Sequence, residues 1–305
     1  MKRLSIVVPA YNEAECIAAF ARAVFGLGLE HPVELVVVDD GSRDGTLAIV
    51  KDLAANDARV RYVSFSRNFG KEAALLAGLR HATGDYVVTM DADLQHDPNL
   101  LGDMLAALDS GEYDCVAACR SSRTGEAAGR GLLSRIYFSF MSRIVGINLR
   151  QGVMDYRMMT RQVVDAVLSL GETDRFTKGL YEWVGFRTKW IETETPERAA
   201  GNTKWSFRSL FVYSLRGILA FTTTPMQFAT FFGVLFGALG AVGLVALAVR
   251  GIVLGAGVPG WALAVASLLV VSGVQLVAFG ILGLYVAGIF REAKRRPVYV
   301  VREEK

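Results

Sequence analysis

Cysteine is scarce in this sequence, and two common glycine-rich motifs are missing from it. No two of the three cysteines, Cys16, Cys115 and Cys119, have Cys-x-x-Cys spacing, which argues against a zinc site. Their small, odd number suits a reducing compartment. No Gly-x-Gly-x-x-Gly follows the first predicted strand, and Gly-x-x-x-x-Gly-Lys-Ser/Thr is absent. A dinucleotide oxidoreductase and a P-loop nucleoside triphosphatase therefore both lose support.

Charge is small in sum and unevenly distributed. The net charge of +3 is too small to indicate a nucleic acid partner. Residues 217–249 and 251–290 carry no charged side chain. Because about 20 apolar residues span a bilayer, these segments predict two transmembrane helices, near 226–249 and 261–290. Uncharged spans argue against a transporter, whose substrate path normally contains charged residues.

The flanks of the predicted spans indicate a topology. The apolar run after Met1, Lys2 and Arg3 is too short for a signal peptide, and the segment from Arg291 onward is basic. Basic flanks stay on the cytoplasmic side. The sequence therefore predicts a multi-pass protein of the cell inner (plasma) membrane, with the N-terminal domain and both termini in the cytoplasm. Each span also contains a small-x-x-x-small pair, which predicts close helix packing within one chain or in a homo-oligomer.

Short apolar strands and helices with one apolar face alternate in the first part of the chain. The predicted strands are Leu4–Val8, Glu34–Val38, Val60–Phe65 and Tyr86–Met90. The predicted helices between them are Ala14–Gly26, Thr46–Ala55 and Glu72–His81. Short links between alternating strands and helices are typical of a parallel sheet in a doubly wound α/β domain.

Polar side chains follow each of these four strands, at the point where the strand gives way to a helix. Ligands of open α/β sheets bind beyond the carboxyl ends of the strands, so we predict a single cleft there. Each group alone could instead be helix capping or turn chemistry. The groups are Tyr11 to Glu13, Asp39 and Asp40, Ser66 to Lys71, and Asp91 and Asp93.

Asp91 and Asp93 directly follow a buried strand. Residues i and i+2 of an extended segment point the same way, so both carboxylates face one point. Mg²⁺ or Mn²⁺ prefers oxygen ligands and keeps positions open for substrate phosphates, and Gln95 could supply a third oxygen. The pair thus predicts a binding site for a metal–diphosphate. The alternative is that this Asp-x-Asp is an ordinary surface or helix-capping pattern.

Basic residues precede the predicted spans. Arg198 and Lys204 lie just before an aromatic, amphipathic stretch and suit a phosphate headgroup, or else they are ordinary cytoplasmic flanking charges. Arg120 and Arg123 are further candidates for phosphate contact, with solvated loop charges as the alternative.

The sequence predicts four successive regions. They are a cytoplasmic domain over 1–204 with a candidate interfacial helix over 132–147, an amphipathic interfacial segment over 205–222, two transmembrane helices within 223–290, and a basic cytoplasmic tail over 291–305.

Three segments of the chain resemble a known family. VVPAYNE at 7–13, VDDGS at 38–42 and DADLQ at 91–95 are similar to the signatures of family 2 glycosyltransferases. Ser66 to Glu72 and Glu197 to Lys204 resemble, more narrowly, the membrane-bound polyprenyl-phosphate glycosyltransferases, such as bactoprenol glucosyltransferases and dolichol-phosphate mannose synthases. The Gln-x-x-Arg-Trp motif of the processive polysaccharide synthases is absent, and Leu284 replaces an acid often seen before the tyrosine of the second span.

This resemblance implies a Rossmann-like GT-A domain and roles for single residues. It assigns Asp155 to catalysis, and Arg198 and Lys204 to the acceptor phosphate; Asp93 is the second predicted catalytic residue. The predicted metal ligands are Asp91, Asp93 and Gln95. The predicted nucleotide-binding residues are Pro9, Tyr11, Glu13, Asp39, Asp40, Ser66, Lys71 and Asp91.

The implied activity is an inverting, metal-dependent transfer of a hexose. A nucleotide sugar, with UDP-glucose favoured, would give its hexose to polyprenyl (undecaprenyl) phosphate at the cytoplasmic membrane face. A GDP-mannose-dependent polyprenyl- or dolichyl-phosphate mannose synthase is one alternative, and a non-catalytic membrane scaffold with a nucleotide-sensing domain is another. A lipid phosphate is already ionised at neutral pH and needs little help from a general base. Asp155 therefore either removes a proton or orients and stabilises the reacting groups.

Overall fold

The computed structural model describes most of the predicted N-terminal domain and the C-terminal end of the chain. The described residues are 1–120, 153–173, 175–193, 253 and 260–305. The chain divides into two compact units, the first of residues 1–210 with 297–305 and the second of residues 211–296. Three predicted features lie outside the described residues, namely the interfacial helix over 132–147, the amphipathic segment over 205–222 and the first span near 226–249.

The described part of the first unit contains an eight-stranded sheet with helices on it. The strands are β1 (Leu4–Ala10), β2 (Val33–Asp39), β3 (Val60–Phe65), β4 (Tyr86–Thr89), β5 (Cys115–Arg120), β6 (Val153–Thr160), β7 (Thr188–Thr193) and β8 (Val301–Glu304). The helices are α1 (Ile17–Phe25), α2 (Thr46–Asn56), α3 (Lys71–His81), α4 (Leu100–Asp109), α5 (Arg161–Ser169) and α6 (Thr177–Trp183).

The strand order of the sheet is β7-β5-β6-β4-β1-β2-β3-β8. Strand β1 lies between β2 and β4 and is parallel to both, and β2 is also parallel to β3. Strand β6 is antiparallel to both of its neighbours, β4 and β5. The mixed sheet with a parallel centre confirms the predicted α/β class, and the predicted helix Glu72–His81 differs from α3 by one residue.

Side chains of β1 enter apolar cores on both faces of the sheet. Ile6 and Val8 pack in one core with Phe20 of α1, and Val7 packs in another with Leu79 of α3. Strands that are buried on both faces read as continuous apolar runs, which is why this strand is recognisable from sequence. The loops that leave the carboxyl ends of β1 to β4 therefore start from one edge of a well-packed sheet.

The last residues of the chain add the edge strand β8, which pairs antiparallel with β3. The Tyr299 ring stacks on Phe65 with 4.9 Å between centroids, and Lys51 Nζ lies 2.7 Å from Glu303 Oε2. The segment interpreted from sequence as a basic tail over 291–305 thus ends in a strand of the sheet, because its final part is apolar enough to pack against β3.

Helix α7 (Gly260–Ala293) belongs to the second unit and covers the second predicted span near 261–290. Taken over the residues that the structure describes, no helix is both long enough and apolar enough to cross a membrane.

Candidate active site

An open cavity of about 320 Å³ lies at the carboxyl ends of the parallel strands. Segments that follow β1, β2, β3 and β4 all contribute to its walls. The lining residues are Pro9, Ala10, Tyr11, Glu13, Asp40, Asn68, Gly70, Lys71, Ala74, Asp91, Ala92 and Asp93. The structure therefore brings most of the predicted nucleotide-binding residues together in one place.

A glycine allows the loops after β2 and β3 to touch. Gly41 has a φ of +66°, and a Cβ at this position would lie 2.4 Å from the backbone carbonyl carbon of Arg67. The loop after β1 joins them, since the Asn12 N–H donates to Ser42 Oγ (3.0 Å) and the Arg43 N–H donates to Asn12 Oδ1 (2.9 Å). The three loops thus brace one another beside the cavity.

Asp40 links the end of β2 to the start of α3. Its buried carboxylate accepts the backbone N–H of Phe69 (2.6 Å) and of Gly70 (2.9 Å). Burial raises the pKa of Asp40 and the adjacent Asp39 adds to the rise, although the two N–H donors oppose it. Asp40 fixes the backbone at Gly70, where φ is +99°, and so places the first turn of α3 at the cavity.

Lys71, the first residue of α3, forms ion pairs with two aspartates from different segments. Asp91 comes after β4, and Asp155 lies on β6. The Lys71 ammonium is 2.6 Å from Asp91 Oδ1 and 2.7 Å from Asp155 Oδ2. A second ammonium, that of Lys178 on α6, is 3.2 Å from Asp155 Oδ1. Burial disfavours the charge of Lys71, but the two carboxylates outweigh this and raise the pKa of Lys71. We call these four side chains the lysine–aspartate cluster.

Asp155 is ionised in this cluster. Burial alone would raise its pKa, but Lys178 and Lys71 outweigh burial and lower the pKa of Asp155 from 3.8 to about 2. A carboxylate with so low a pKa is a weak base. The geometry therefore favours an orienting or electrostatic role for Asp155 over removal of a proton.

Asp155→Asn is expected to destabilise the fold at neutral pH and progressively less in acid. Because the pKa of Asp155 is lowered from 3.8 to about 2 in the folded state, its ionised form stabilises the fold above about pH 4 by about 2 kcal/mol. That contribution is lost as the pH falls toward about 2. Urea unfolding of wild type and variant between about pH 7 and pH 2.5 measures the difference.

The matched control for this prediction is Asp165→Asn. Asp165 is exposed and lies 3.9 Å from Arg161 on the surface of α5. Exposed pairs of this kind contribute little to stability, so the control should differ little from wild type at any pH. An Asp155→Asn effect that stays constant over the whole pH range would contradict the assigned ionisation.

Asp91 and Asp93 both line the cavity directly after β4. Gln95 contacts Asp93 through its backbone N–H, 3.1 Å from Asp93 Oδ1, and a metal-binding role for its side chain stays a prediction. In the described part of the chain, no group of three or more His, Cys, Asp or Glu side chains could hold a metal ion. Two carboxylates at an open cavity nevertheless fit an Mg²⁺ or Mn²⁺ that takes its other ligands from water and phosphate oxygens.

Two of the predicted nucleotide-binding residues are engaged elsewhere. Asp39 is 1% exposed, and its carboxylate accepts the Ser42 N–H (3.1 Å) and the Ser64 hydroxyl (2.8 Å). The Ser66 N–H donates to the carbonyl of Val300 (3.0 Å). Both residues support the loops around the cavity, and their contact with a nucleoside stays a prediction.

The predicted acceptor-phosphate residues fall at or beyond the edge of the described residues. Arg120 is the last residue of β5. Arg123, Arg198 and Lys204 lie outside the described residues. Their proposed contact with a phosphate stays a prediction.

Sequence reasoning missed two residues that contact predicted site residues. One is Lys178 of the lysine–aspartate cluster. The other is His96, whose buried ring stacks on Tyr156 with 5.1 Å between centroids and whose Nδ1 accepts the Asp91 N–H over 3.4 Å. Burial lowers the pKa of His96 although nearby carboxylates oppose the change. The sequence signal for His96 was its place three residues after Asp93, whereas Lys178 had none.

The chain is similar to known glycosyltransferases over nearly its whole length. The family model described as glycosyl transferase family 2 matches residues 5–168. CsbB of Bacillus subtilis (strain 168), which is named as a glycosyltransferase, is 41% identical over 302 residues, covering 98% of this chain and 91% of that protein. The bactoprenol glucosyl transferase of Shigella phage SfV is 35% identical over 305 residues, covering 99% of each.

A solved structure also resembles this chain. It is glucosyl-3-phosphoglycerate synthase from Mycobacterium tuberculosis in complex with Mn²⁺, uridine diphosphate and glucosyl-3-phosphoglycerate, and it is 21% identical to this chain. The two superpose with a TM-score of 0.49 over 72% of this chain and 78% of that one.

Proposed function

Because this chain belongs to glycosyl transferase family 2, we propose that it transfers a hexose from a nucleotide sugar to a polyprenyl phosphate. The observation that carries the proposal is the cavity in which Asp91, Asp93 and Lys71 meet the loops after β1 and β2. The phage relative, a bactoprenol glucosyl transferase that aligns over 99% of both chains, supports a lipid phosphate as acceptor and glucose as the sugar. UDP-glucose is the favoured donor.

The proposed reaction is a single displacement that inverts the anomeric carbon. An oxygen of the acceptor phosphate bonds to that carbon while the bond to the nucleoside diphosphate breaks, and the diphosphate leaves with the bonding electrons. The acceptor oxygen is already ionised at neutral pH, so no proton has to be removed. The protein has to orient the two reactants and stabilise the charges that develop.

The proposed roles follow from the charge of the side chains that line the cavity and of Asp155, which pairs with the cavity residue Lys71. Asp155, held between two ammonium groups, stabilises positive character at the anomeric carbon. Lys71 offsets negative charge on the leaving diphosphate. Asp91 and Asp93 would hold Mg²⁺ or Mn²⁺, which would supply further positive charge to the diphosphate when bound. Tyr11 borders the nucleoside.

We place this reaction at the cytoplasmic face of the inner (plasma) membrane. Residues 217–249 and 251–290 carry no charge, and large apolar side chains of α7 are exposed, among them Trp261, Phe279 and Ile289. Exposed apolar surface of this kind marks interaction with lipid or another protein. These features support two membrane-embedded segments that keep the catalytic domain close to a lipid acceptor.

The proposal is tested with the full-length protein in lipid nanodiscs that contain undecaprenyl phosphate. UDP-glucose and GDP-mannose are supplied separately with Mg²⁺ or Mn²⁺, and the lipid is analysed by mass spectrometry. We expect a hexosyl-phosphoryl lipid from UDP-glucose and none after chelation of the metal. A product from GDP-mannose alone would establish the mannose synthase alternative. Nucleotide binding without product from any nucleotide sugar would defeat the proposal in favour of a scaffold.

A further inference from the structure

We infer that Lys178 is a positioning residue that fixes the orientation of the Asp155 carboxylate, an inference that rests on the proposed transfer reaction. Lys178 Nζ lies 3.2 Å from Asp155 Oδ1 and donates to the Val153 carbonyl over 3.1 Å. The other oxygen of Asp155 is 2.7 Å from Lys71 Nζ. Each carboxylate oxygen thus has its own ammonium partner, which restricts rotation of the group.

A second ion pair, one helical turn farther along α6, aligns this helix with β6. Glu182 Oε1 is 2.8 Å from Nη2 of the buried Arg157. Asp155 and Arg157 share one face of the strand, and Lys178 and Glu182 share one face of the helix. The strand therefore presents a carboxylate and then a guanidinium, and the helix presents an ammonium and then a carboxylate. This order fixes the register, because a shift by one turn would bring like charges together.

The start of α6 is bound separately to the start of α3. The Glu72 carboxylate accepts the Thr177 backbone N–H (3.0 Å) and the Thr177 hydroxyl. Glu72 follows Lys71 on α3, and Thr177 precedes Lys178 on α6. The contact between Glu72 and Thr177 therefore holds together the two helix ends whose lysines reach the two oxygens of Asp155.

The two lysines differ in their other contacts. Lys71 also pairs with Asp91, a proposed metal ligand, so a metal–diphosphate bound at Asp91 would change the surroundings of Lys71. The second contact of Lys178 is a carbonyl of the same strand that carries Asp155. Lys178 is therefore the partner that keeps Asp155 in place while the contacts of Lys71 change during the reaction.

The test compares Lys178→Met and Lys178→Arg with Lys189→Met in the full chain. Lys189 is an exposed lysine of β7, 5.6 Å from the ring centroid of Tyr113, and serves as the matched control. We expect Lys178→Met to lower kcat about 10- to 100-fold with the KM for UDP-glucose changed less than about twofold, because misplacement at the reacting centre costs up to about 100-fold. Lys178→Arg can still pair with the carboxylate and should restore kcat to within about fivefold of wild type. Lys189→Met should behave as wild type.

Hydrolysis of UDP-glucose without lipid acceptor is the second measurement, because the role proposed for Asp155 at the anomeric carbon is the same whichever oxygen attacks. We expect Lys178→Met to slow hydrolysis and lipid transfer alike. Slower lipid transfer with unchanged hydrolysis would mean that Lys178 contacts the acceptor phosphate, and this overturns the positioning role. An unchanged kcat, or a loss that arginine does not restore, also overturns it.

Failure of the proposed function gives a different result. A wild-type protein that hydrolyses UDP-glucose but never glycosylates the lipid would refute the proposed acceptor, while the hydrolysis rates of the Lys178 variants still decide the inference. A wild-type protein without either reaction would overturn both. Melting temperatures separate these outcomes from misfolding. Lys178→Arg and Lys189→Met should melt close to wild type, whereas Lys178→Met should show a single transition at a somewhat lower temperature, because Asp155 loses one of its two ammonium partners.

Discussion

Asp91→Asn is expected to lower kcat for hexosyl transfer by about 10²- to 10³-fold, the size of effect seen when one group that stabilises transition-state charge is removed. Asparagine keeps the shape of the side chain but has no charge for a divalent cation or for Lys71, whose ammonium is 2.6 Å from Asp91 Oδ1. The Asp91 side chain is 31% exposed, so loss of this ion pair should cost about 1 kcal/mol of stability at most. The variant should therefore fold, bind nucleotide weakly and turn it over slowly.

Two measurements check this expectation. Product formation by mass spectrometry gives kcat, and calorimetric titration with UDP, with and without Mn²⁺, gives the part of the affinity that depends on metal. Asp103→Asn is the matched control, because Asp103 is an exposed aspartate in the first turn of α4. Wild-type turnover in Asp91→Asn, or an equal gain in UDP affinity from Mn²⁺ in variant and wild type, would remove Asp91 from the site.

The walls of the cavity could be predicted because they depend on local sequence. Each of β1 to β4 is a short apolar run with polar residues directly after it, and parallel strands place such ends at one edge of the sheet. Pro9, Tyr11, Glu13 and Lys71 therefore reach the cavity without any knowledge of how distant segments pack. The bounds of α3 could be predicted to within one residue for the same reason.

Asp39 and Asp40 show where this local reasoning stops. Neighbouring residues of an extended strand point to opposite faces, so the two carboxylates could not both face a ligand. Asp39 still belongs to β2 and turns to Ser64, whereas Asp40 lies beyond the strand and lines the cavity. Which of the two carboxylates faces the cavity depends on where β2 ends, and the ends of strands are the boundaries that sequence predicts least accurately.

Contacts of single side chains outside these strand ends could not be predicted from local sequence. Lys178 lies on α6 and meets Asp155 only because that helix packs on β6, and a single lysine carries no indication of its partner. Asp155 itself was identified by family resemblance and not by its local pattern. Strand β8 was missed because it pairs with β3 from the far end of the chain, where the basic residues before it suggested a cytoplasmic tail.

Arg157→Met is expected to lower the free energy of unfolding by about 3 kcal/mol, because a broken buried ion pair leaves an uncompensated charge. The Arg157 side chain is 2% exposed and its guanidinium is 2.8 Å from Glu182 Oε1. Its guanidinium carbon also lies 4.7 Å and 5.3 Å from the ring centroids of Tyr181 and Trp190. Methionine fills much of the volume but gives Glu182 no cation. Because the Glu182 side chain is 20% exposed and keeps some hydration, the loss lies at the lower end of the range for such pairs.

Thermal unfolding measures this effect as a fall in Tm of about 6 to 12 °C for a domain of this size. Arg187→Met is the matched control, because Arg187 also pairs with a carboxylate, at 3.0 Å from Asp114, but its side chain is 63% exposed. Exposed pairs contribute little, so the control should melt close to wild type. Equal melting temperatures for the two variants would contradict the structural importance of Arg157.

The double variant Arg157→Met with Glu182→Gln separates stability from alignment. Removing the unpaired carboxylate should restore about 2 of these 3 kcal/mol, because the cost of a broken pair lies mostly in the charge left behind. The register between α6 and β6 is not restored, since neither new side chain carries a charge. We therefore expect Tm to recover in part while kcat stays low, because Lys178 is no longer aligned with Asp155. Recovery of Tm and kcat together would show that Arg157 and Glu182 affect turnover only through stability, and their role in aligning Lys178 would then be wrong.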